Sequence, residues 1–151
     1  AAFSEKADEQ IKKEFEEGVR YVTESGVLDN EKKAGDKAPD FILPNAAGED
    51  IKLSALLETG LVVMIWYRGE WCPYCNIQLE DVQKHNEEFK ALGAQIVAIS
   101  PQLPDRGWTV QDKLDLEYHV LSDVKSKVAM AYGVAYTLPS KRRRKRCTAI
   151  G

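Results

Sequence analysis

The sequence is short of the residues that cross-link small proteins or bind structural metals. It has only three cysteines and two histidines in 151 residues. Three cysteines are too few for the disulfide framework of a small secreted domain, and His85 and His119 lack the paired spacing of a zinc site. A chain of this length must therefore fold by burying an ordinary hydrophobic core, and one domain is expected.

Long hydrophobic runs and a surplus of positive charge are also missing. The apolar run at residues 61–67 is far shorter than the roughly 20 residues that span a bilayer, and no signal-peptide pattern precedes the first predicted helix. The net charge is −3, and because residues 141–146 are six cations, the rest of the chain carries −9. These features argue against a membrane protein and a nucleic-acid partner, and predict a protein of the reducing cytoplasm.

The motif that carries chemistry is C-P-Y-C at residues 72–75. It follows the run 61–67, which predicts a buried parallel strand, and it precedes one predicted helix that ends at Gly93. The apolar stripe of that helix comprises Leu79, Val82, Phe89 and Leu92. The motif is therefore predicted to lie at a strand-to-helix turn.

This position favours thiolate chemistry at Cys72 and Cys75. The first N–H groups of a helix are unpaired and its dipole is positive there, which stabilises a thiolate. Pro73 fits the first turn because it has no N–H to leave unpaired. The pair therefore predicts a dithiol redox centre. Two alternatives stay open: half of a zinc site, with Cys147 among the few further ligands, or two inert buried cysteines.

The chain divides into three predicted segments. Residues 1–32 form an amphipathic helix, capped by Ser4 and ending near Gly26, and a linker. The apolar stripe of this helix packs on the domain or, in a homodimer, on a second copy of the chain. Residues 33–139 form an α/β domain. Residues 140–151 form a basic tail, which is expected to be solvated and disordered.

Within the domain, the pattern predicts a short strand at 51–53, a brief helix capped by Ser54, a second buried strand at 95–99, a helix at 109–116, a strand at 118–121 and a helix capped by Asp123. The strands at 61–67 and 95–99 and the helix between them make a βαβ unit. Its chemistry is expected at the carboxyl ends of the strands, where residues 67–75 and 100–102 meet. His119, in an apolar strand, is interpreted as a structural residue.

Several spaced motifs resemble one family. They are G-D-K-A-P-D-F at 35–41, W-Y-R-G-E-W-C-P-Y-C at 66–75, I-S-P-Q at 99–102, V-L-S-D at 120–123 and A-Y-G-V at 131–134. In this order they resemble the alkyl hydroperoxide reductase and thiol-specific antioxidant (AhpC/TSA) group, the peroxiredoxins, and within it the peroxiredoxin-like branch that carries W-C-P-Y-C. The resemblance covers residues 33–139.

The resemblance implies a thioredoxin-like α/β fold and a thiol-dependent peroxidase that needs no cofactor or metal. The substrate would be hydrogen peroxide or an organic hydroperoxide, and the reductant thioredoxin, glutaredoxin or glutathione. The family's peroxidatic position falls on Cys75, its Thr position on Cys72 and its Pro position on Arg68. The family's last hairpin and final helix have no counterpart in residues 140–151, so the domain is expected to be truncated at its C-terminus.

The expected mechanism starts at the Cys75 thiolate, which attacks the peroxide, and Cys72 then closes the disulfide. Arg68 either lowers the pKa of the thiolate or is a solvated charge in the loop. Trp71 and Tyr74 either shape an apolar mouth, meaning the entrance to the site, or simply pack against their neighbours. The first alternative is a disulfide oxidoreductase, in which Cys72, as the exposed first cysteine, attacks a substrate disulfide. The second is a redox-inactive interaction module that binds through the tail or the N-terminal helix.

Overall fold

The computed structural model describes residues 8–26 and 29–136. The predicted cap Ser4, Cys147 and the whole predicted tail lie outside these residues. Residues 37–131 group into one compact unit, and the other described residues group into a second. In the part of the chain that is described, no helix combines the length and hydrophobicity needed to cross a membrane.

The second unit contains helix α1 (Glu9–Glu24). The Asp8 carboxylate caps the helix by accepting the Gln10 N–H at 2.8 Å. The predicted end near Gly26 is confirmed, since Gly26 has a φ of 71° and stops the helix in the left-handed region. No residue of α1 is buried, and its apolar stripe includes Ile11 and Val19, which are 50% and 52% exposed.

The domain begins with a hairpin of β1 (Ile42–Pro44) and β2 (Asp50–Lys52), which pair antiparallel. Helix α2 (Leu53–Leu57) follows at once, so Leu53 starts a helix rather than ending a strand. The prediction that Ser54 caps this helix is wrong. The Ser54 N–H is instead accepted by the Asp40 carboxylate at 2.9 Å, a tertiary contact across 14 residues.

The central sheet is parallel, with strand order β3 (Leu61–Trp66), β4 (Ala94–Ser100), β5 (His119–Ser122). This confirms the predicted α/β topology. Strand β4 is central and almost wholly buried. The prediction that β3 is buried is wrong: Leu61 is 68% exposed and the rest of the strand is half-buried. The reason is that, among the described residues, β3 has a neighbouring strand on one side only.

The segment after the cysteines forms two helices, α3 (Pro73–Lys84) and α4 (Asn86–Ala91), so the prediction of a single helix is wrong. The break is at His85, which has φ −100° and ψ 5°. Next to it, buried Asn86 donates to the Glu117 carboxylate at 3.1 Å, a contact that a regular helical pattern does not reveal. Leu92, which the pattern placed on the core face, is 77% exposed.

Two further helices complete the domain. Helix α5 (Pro104–Lys113) starts five residues earlier than predicted, with Pro104 in its first turn. Helix α6 (Lys127–Ala131) confirms the capping role of Asp123, whose two carboxylate oxygens accept the N–H groups of Lys127 and Ala129, each at 2.9 Å. The core lies between helices and sheet and contains Tyr67, Leu79, Ile96, Ala98, Val110, Leu116, Tyr118 and Val120.

Leu79 anchors α3 on this core, with no exposed surface. We expect Leu79→Ala to lower the free energy of unfolding by about 2–5 kcal/mol, because it leaves a cavity that the packed neighbours cannot fill. Urea denaturation measures this loss. The matched control is Leu92→Ala, which should change stability by about 0.5 kcal/mol or less since Leu92 is exposed. Equal losses in the two variants would contradict the packing described here.

His119 makes stability depend on pH. Burial lowers the pKa of His119 below its ordinary 6.5, with a smaller opposing effect of Glu49. The unfolded chain therefore takes up the proton first, so this contribution to stability is full above about pH 6.5 and falls as the pH drops from there towards the lower folded-state pKa. We expect the unfolding free energy of the native protein to fall more between pH 7.5 and 5.5 than that of His119→Gln, measured by denaturant titration.

Candidate active site

The C-P-Y-C motif lies where the sequence analysis predicted, at the turn from β3 into α3. The Tyr67 N–H continues the strand pairing by donating to the Ile99 carbonyl at 3.0 Å. The chain then turns sharply, with the Cys72 N–H donating to the Gly69 carbonyl at 3.1 Å. Cys72 is the N-cap of α3 and Pro73 is its first residue. The carboxyl end of a parallel strand and the start of a helix therefore meet at the cysteines.

The two cysteines form a disulfide-bonded pair. Their sulfur atoms lie at bonding distance and their Cα atoms are 5.3 Å apart. The Cys72 sulfur accepts the backbone N–H of Cys75 at 3.3 Å, which is how Cys72 caps the helix. Cys72 is only 1% exposed, whereas Cys75 is half-buried. The expectation that Cys72 is the exposed cysteine of the pair is therefore wrong.

Arg68 brings positive charge to the same sulfur. Its Nε and Nη2 lie 3.4 and 3.2 Å from the Cys72 sulfur, so both N–H groups point at one atom. The guanidinium carbon also lies 5.0 Å from the centre of the Trp71 ring, a distance suited to a cation–π contact. Arg68 is thus in contact with Cys72 and Trp71, and it is not simply a solvated charge.

The other predicted supporting residues, Trp71, Pro73 and Tyr74, are all exposed. Trp71 is 49% exposed and Tyr74 is 71% exposed, so the simple packing interpretation does not hold for Tyr74. Pro73 is exposed in the first turn of α3. Tyr67, at the end of β3, is buried, and burial raises the pKa of its phenol above the usual 10, so the group stays neutral near pH 7.

A set of polar contacts at Glu70 holds the turn in place, and the sequence analysis assigned it no role. Gln102 accepts the Glu70 N–H at 2.6 Å, and Asn76 donates to the Glu70 carbonyl at 3.0 Å. Arg106 pairs with the Glu70 carboxylate at 3.2 Å. The sequence does contain one indication of a role for Gln102, because this residue comes just after β4, at the edge of the sheet where chemistry was expected.

Gly69 allows the turn to pass close to its neighbours. Its φ is 143°, in the region that favours glycine, and a Cβ there would lie 2.8 Å from the side chains of both Gln102 and Trp71. No group of three or more His, Cys, Asp or Glu side chains suited to a metal ion occurs in residues 8–26 and 29–136. The chemistry that this arrangement supports is that of sulfur, at a positively charged helix start.

Comparison with known proteins agrees with the fold. The model of the AhpC/TSA family matches residues 34–150. The chain belongs to the AhpC/TSA family. It is also similar to a solved structure, the peroxidoxin BcpB of Mycobacterium tuberculosis, at 31% identity and a TM-score of 0.68, over 70% of this chain and 69% of that one. This likeness confirms the predicted thioredoxin-like, peroxiredoxin-type fold of this family member.

Two relatives carry different functional names. The chain is 34% identical over 102 residues to the bcp peroxiredoxin of Buchnera aphidicola, covering 68% of this chain and 64% of that one. It is 31% identical over 105 residues to the thiol-disulfide oxidoreductase ResA of Halalkalibacterium halodurans, covering 68% and 57%. The AhpC/TSA chain thus spans less than two thirds of the length of these two relatives.

The close approach at Gly69 can be tested by adding one methyl group. We expect Gly69→Ala to displace Gln102 and Trp71 and to shift the tryptophan emission spectrum. It should also lower the unfolding free energy by about 1–3 kcal/mol more than a control substitution that adds backbone strain but no close contact. Gly48→Ala is that control, because Gly48 also has a positive φ, of 84°, but nothing lies within 4 Å of the added Cβ. Indistinguishable variants would show that the turn is not tightly packed.

Proposed function

We propose that this AhpC/TSA-family chain is a thiol-dependent peroxidase that works through Cys72 and Cys75. The observation that carries the proposal is the pair itself: two sulfurs at bonding distance at the start of α3, with the Arg68 guanidinium against one of them. A helix start favours thiolate over thiol, and the thiolate is the reactive form; the adjacent cation adds to this effect at Cys72, the cysteine that closes the disulfide.

The Cys75 thiolate attacks one oxygen of the peroxide and takes it up, becoming a sulfenic acid, while the other oxygen leaves as water or an alcohol after protonation. The Cys72 thiolate then attacks the Cys75 sulfur, forms the disulfide and releases hydroxide, which is protonated to water. Two observations support Cys75 as the first nucleophile. It is the less buried residue of the pair, and it falls on the peroxidatic position of the family pattern.

The surrounding residues have supporting roles in the proposal. Arg68 stabilises negative charge on Cys72, and Pro73 starts the helix whose Cys75 N–H donates to the Cys72 sulfur. Trp71 and Tyr74, half and largely exposed, form an apolar mouth through which a peroxide reaches Cys75. Hydrogen peroxide and organic hydroperoxides are both within the proposed substrate class.

The reductant, the compartment and the oligomeric state belong to the same proposal. A thiol reductant of the thioredoxin, glutaredoxin or glutathione type regenerates the pair, which suits the reducing cytoplasm. The exposed apolar residues of α1, Ile11 and Val19 among them, support a homodimer formed through that helix.

A second candidate is disulfide exchange, which the named relative ResA favours. It uses the same two cysteines and differs in the electrophile, which is a disulfide rather than a peroxide. A redox-inactive module, the remaining alternative, requires neither cysteine.

We expect the reduced protein to react rapidly with one equivalent of hydrogen peroxide, with a change in tryptophan fluorescence and the loss of two free thiols. Stopped-flow fluorescence measures the rate and thiol titration the stoichiometry. Cys75→Ser should abolish the fast change, whereas Cys72→Ser should keep it but stop at the sulfenic acid. A rate no higher than that of an ordinary thiol would rule out the peroxidase, and reduction of insulin disulfides by the same protein would then support exchange.

A further inference from the structure

We propose that an external thiol reopens the Cys72–Cys75 disulfide by attacking the Cys75 sulfur, and that Cys72 leaves as a thiolate held by Arg68. This inference rests on the proposed function in one respect: it takes the pair to be a working redox couple. It states which of the two sulfurs is attacked and which one leaves, and this order is called the direction of opening. The spacing of the cysteines in a C-x-x-C motif does not reveal that direction.

The first argument is access. Thiol–disulfide exchange needs the attacking sulfur to reach one sulfur of the bond directly. Cys72 is 1% exposed and Arg68 lies against its sulfur, with two N–H groups at 3.2 and 3.4 Å. Cys75 is half-buried and retains accessible surface. Because Cys75 is the less buried residue of the two, we infer that a thiol from solution attacks its sulfur.

The second argument is the leaving group. The sulfur that departs carries the negative charge, and a thiol of lower pKa departs faster. Three donors converge on the Cys72 sulfur: Nε and Nη2 of Arg68 and the backbone N–H of Cys75. Within the part of the chain that is described, no donor contacts the Cys75 sulfur. The three hydrogen bonds that stabilise a Cys72 thiolate are therefore already in place before the bond breaks, and two of them come from a cation.

The electrons balance with thiols alone. The external thiolate forms a bond to the Cys75 sulfur, the Cys72–Cys75 bond breaks, and its electron pair goes to Cys72. A second thiol then attacks the external sulfur of the mixed disulfide. Cys75 leaves as a thiolate and takes up a proton, and the two external thiols end as a disulfide. The two electrons come from these two thiols.

This direction is opposite to that of the disulfide oxidoreductase alternative, in which Cys72 is the exposed cysteine and reacts first. It makes Cys75 the sulfur that meets both the peroxide and the reductant, while Cys72 stays covered throughout. Arg68 is a positioning residue in this scheme, because it acts through Cys72 and does not touch the external thiol. The Trp71 ring, 5.0 Å from the guanidinium carbon, fixes its place.

The first test maps the mixed disulfide on the full 151-residue chain. The protein is oxidised with diamide, so that no peroxide chemistry is needed, and is mixed with one equivalent of glutathione. N-ethylmaleimide stops the reaction at early times, and fragment ions separate Cys72 from Cys75 in the peptide. We expect glutathione on Cys75 and N-ethylmaleimide on Cys72. Glutathione on Cys72, or failure of diamide to close the pair, would overturn the proposal.

The second test examines Arg68. We expect Arg68→Met to slow opening of the diamide-formed disulfide by dithiothreitol about tenfold, and Arg68→Lys to restore part of the rate because it keeps the charge but loses the two-pronged geometry. Ultraviolet absorbance of a variant that combines Cys75→Ser with Cys147→Ser follows formation of the Cys72 thiolate as the pH rises. Adding Arg68→Met to that variant should move this titration to higher pH, because the thiolate then lacks its cation.

The matched control is Arg20→Met, in exposed helix α1, where Arg20 pairs with Glu24 at 3.8 Å and should leave the opening rate unchanged. An Arg68→Met variant that opens as fast as the native protein would remove Arg68 from the scheme. Neither test uses peroxide. A protein that fails to react with hydrogen peroxide but carries glutathione on Cys75 would therefore refute the peroxidase and leave this direction standing.

Discussion

The parallel pairing of β3 with β4 is the constraint on which the site depends. Trp66, the last residue of β3, lies opposite Ile99, and Tyr67 extends the pairing by one more hydrogen bond. Both strands therefore end at the same level, so the cysteine turn and the residues after β4 leave the sheet side by side. This is why Gln102, remote in sequence, can hold the backbone of Glu70 at 2.6 Å.

The turn of the backbone brings a positively charged side chain to the cysteine pair. Arg68 lies four residues before Cys72, yet its guanidinium reaches that sulfur because the chain folds back at Gly69. The body of the protein is acidic, so a cation at this point is a local feature and not part of a basic surface. Together with the N–H groups at the start of α3, Arg68 makes Cys72 the sulfur better suited to carry negative charge.

The same contact joins the two positions at which the chain departs from the pattern of the family. In the pattern that the chain resembles, a Pro and a Thr stand where this chain has Arg68 and Cys72. These two departures are in direct contact, at 3.2 Å between Nη2 and the sulfur. In the proposed mechanism they act together, because Arg68 stabilises the thiolate of the second cysteine. A site of this kind can close a disulfide within a single turn of helix.

The sequence by itself determined the family, the parallel α/β topology and the place of the cysteine pair, because these depend on local hydrophobic patterns and on motifs that are contiguous in the chain. It did not determine the break at His85, the exposure of Leu92 or the edge position of β3. Those follow from contacts such as Asn86 with Glu117 and from which strands pair, which no local pattern contains. The tertiary structure alone decided that Cys72 is the covered sulfur, because its burial and its three donors come from a loop folding back onto a helix start.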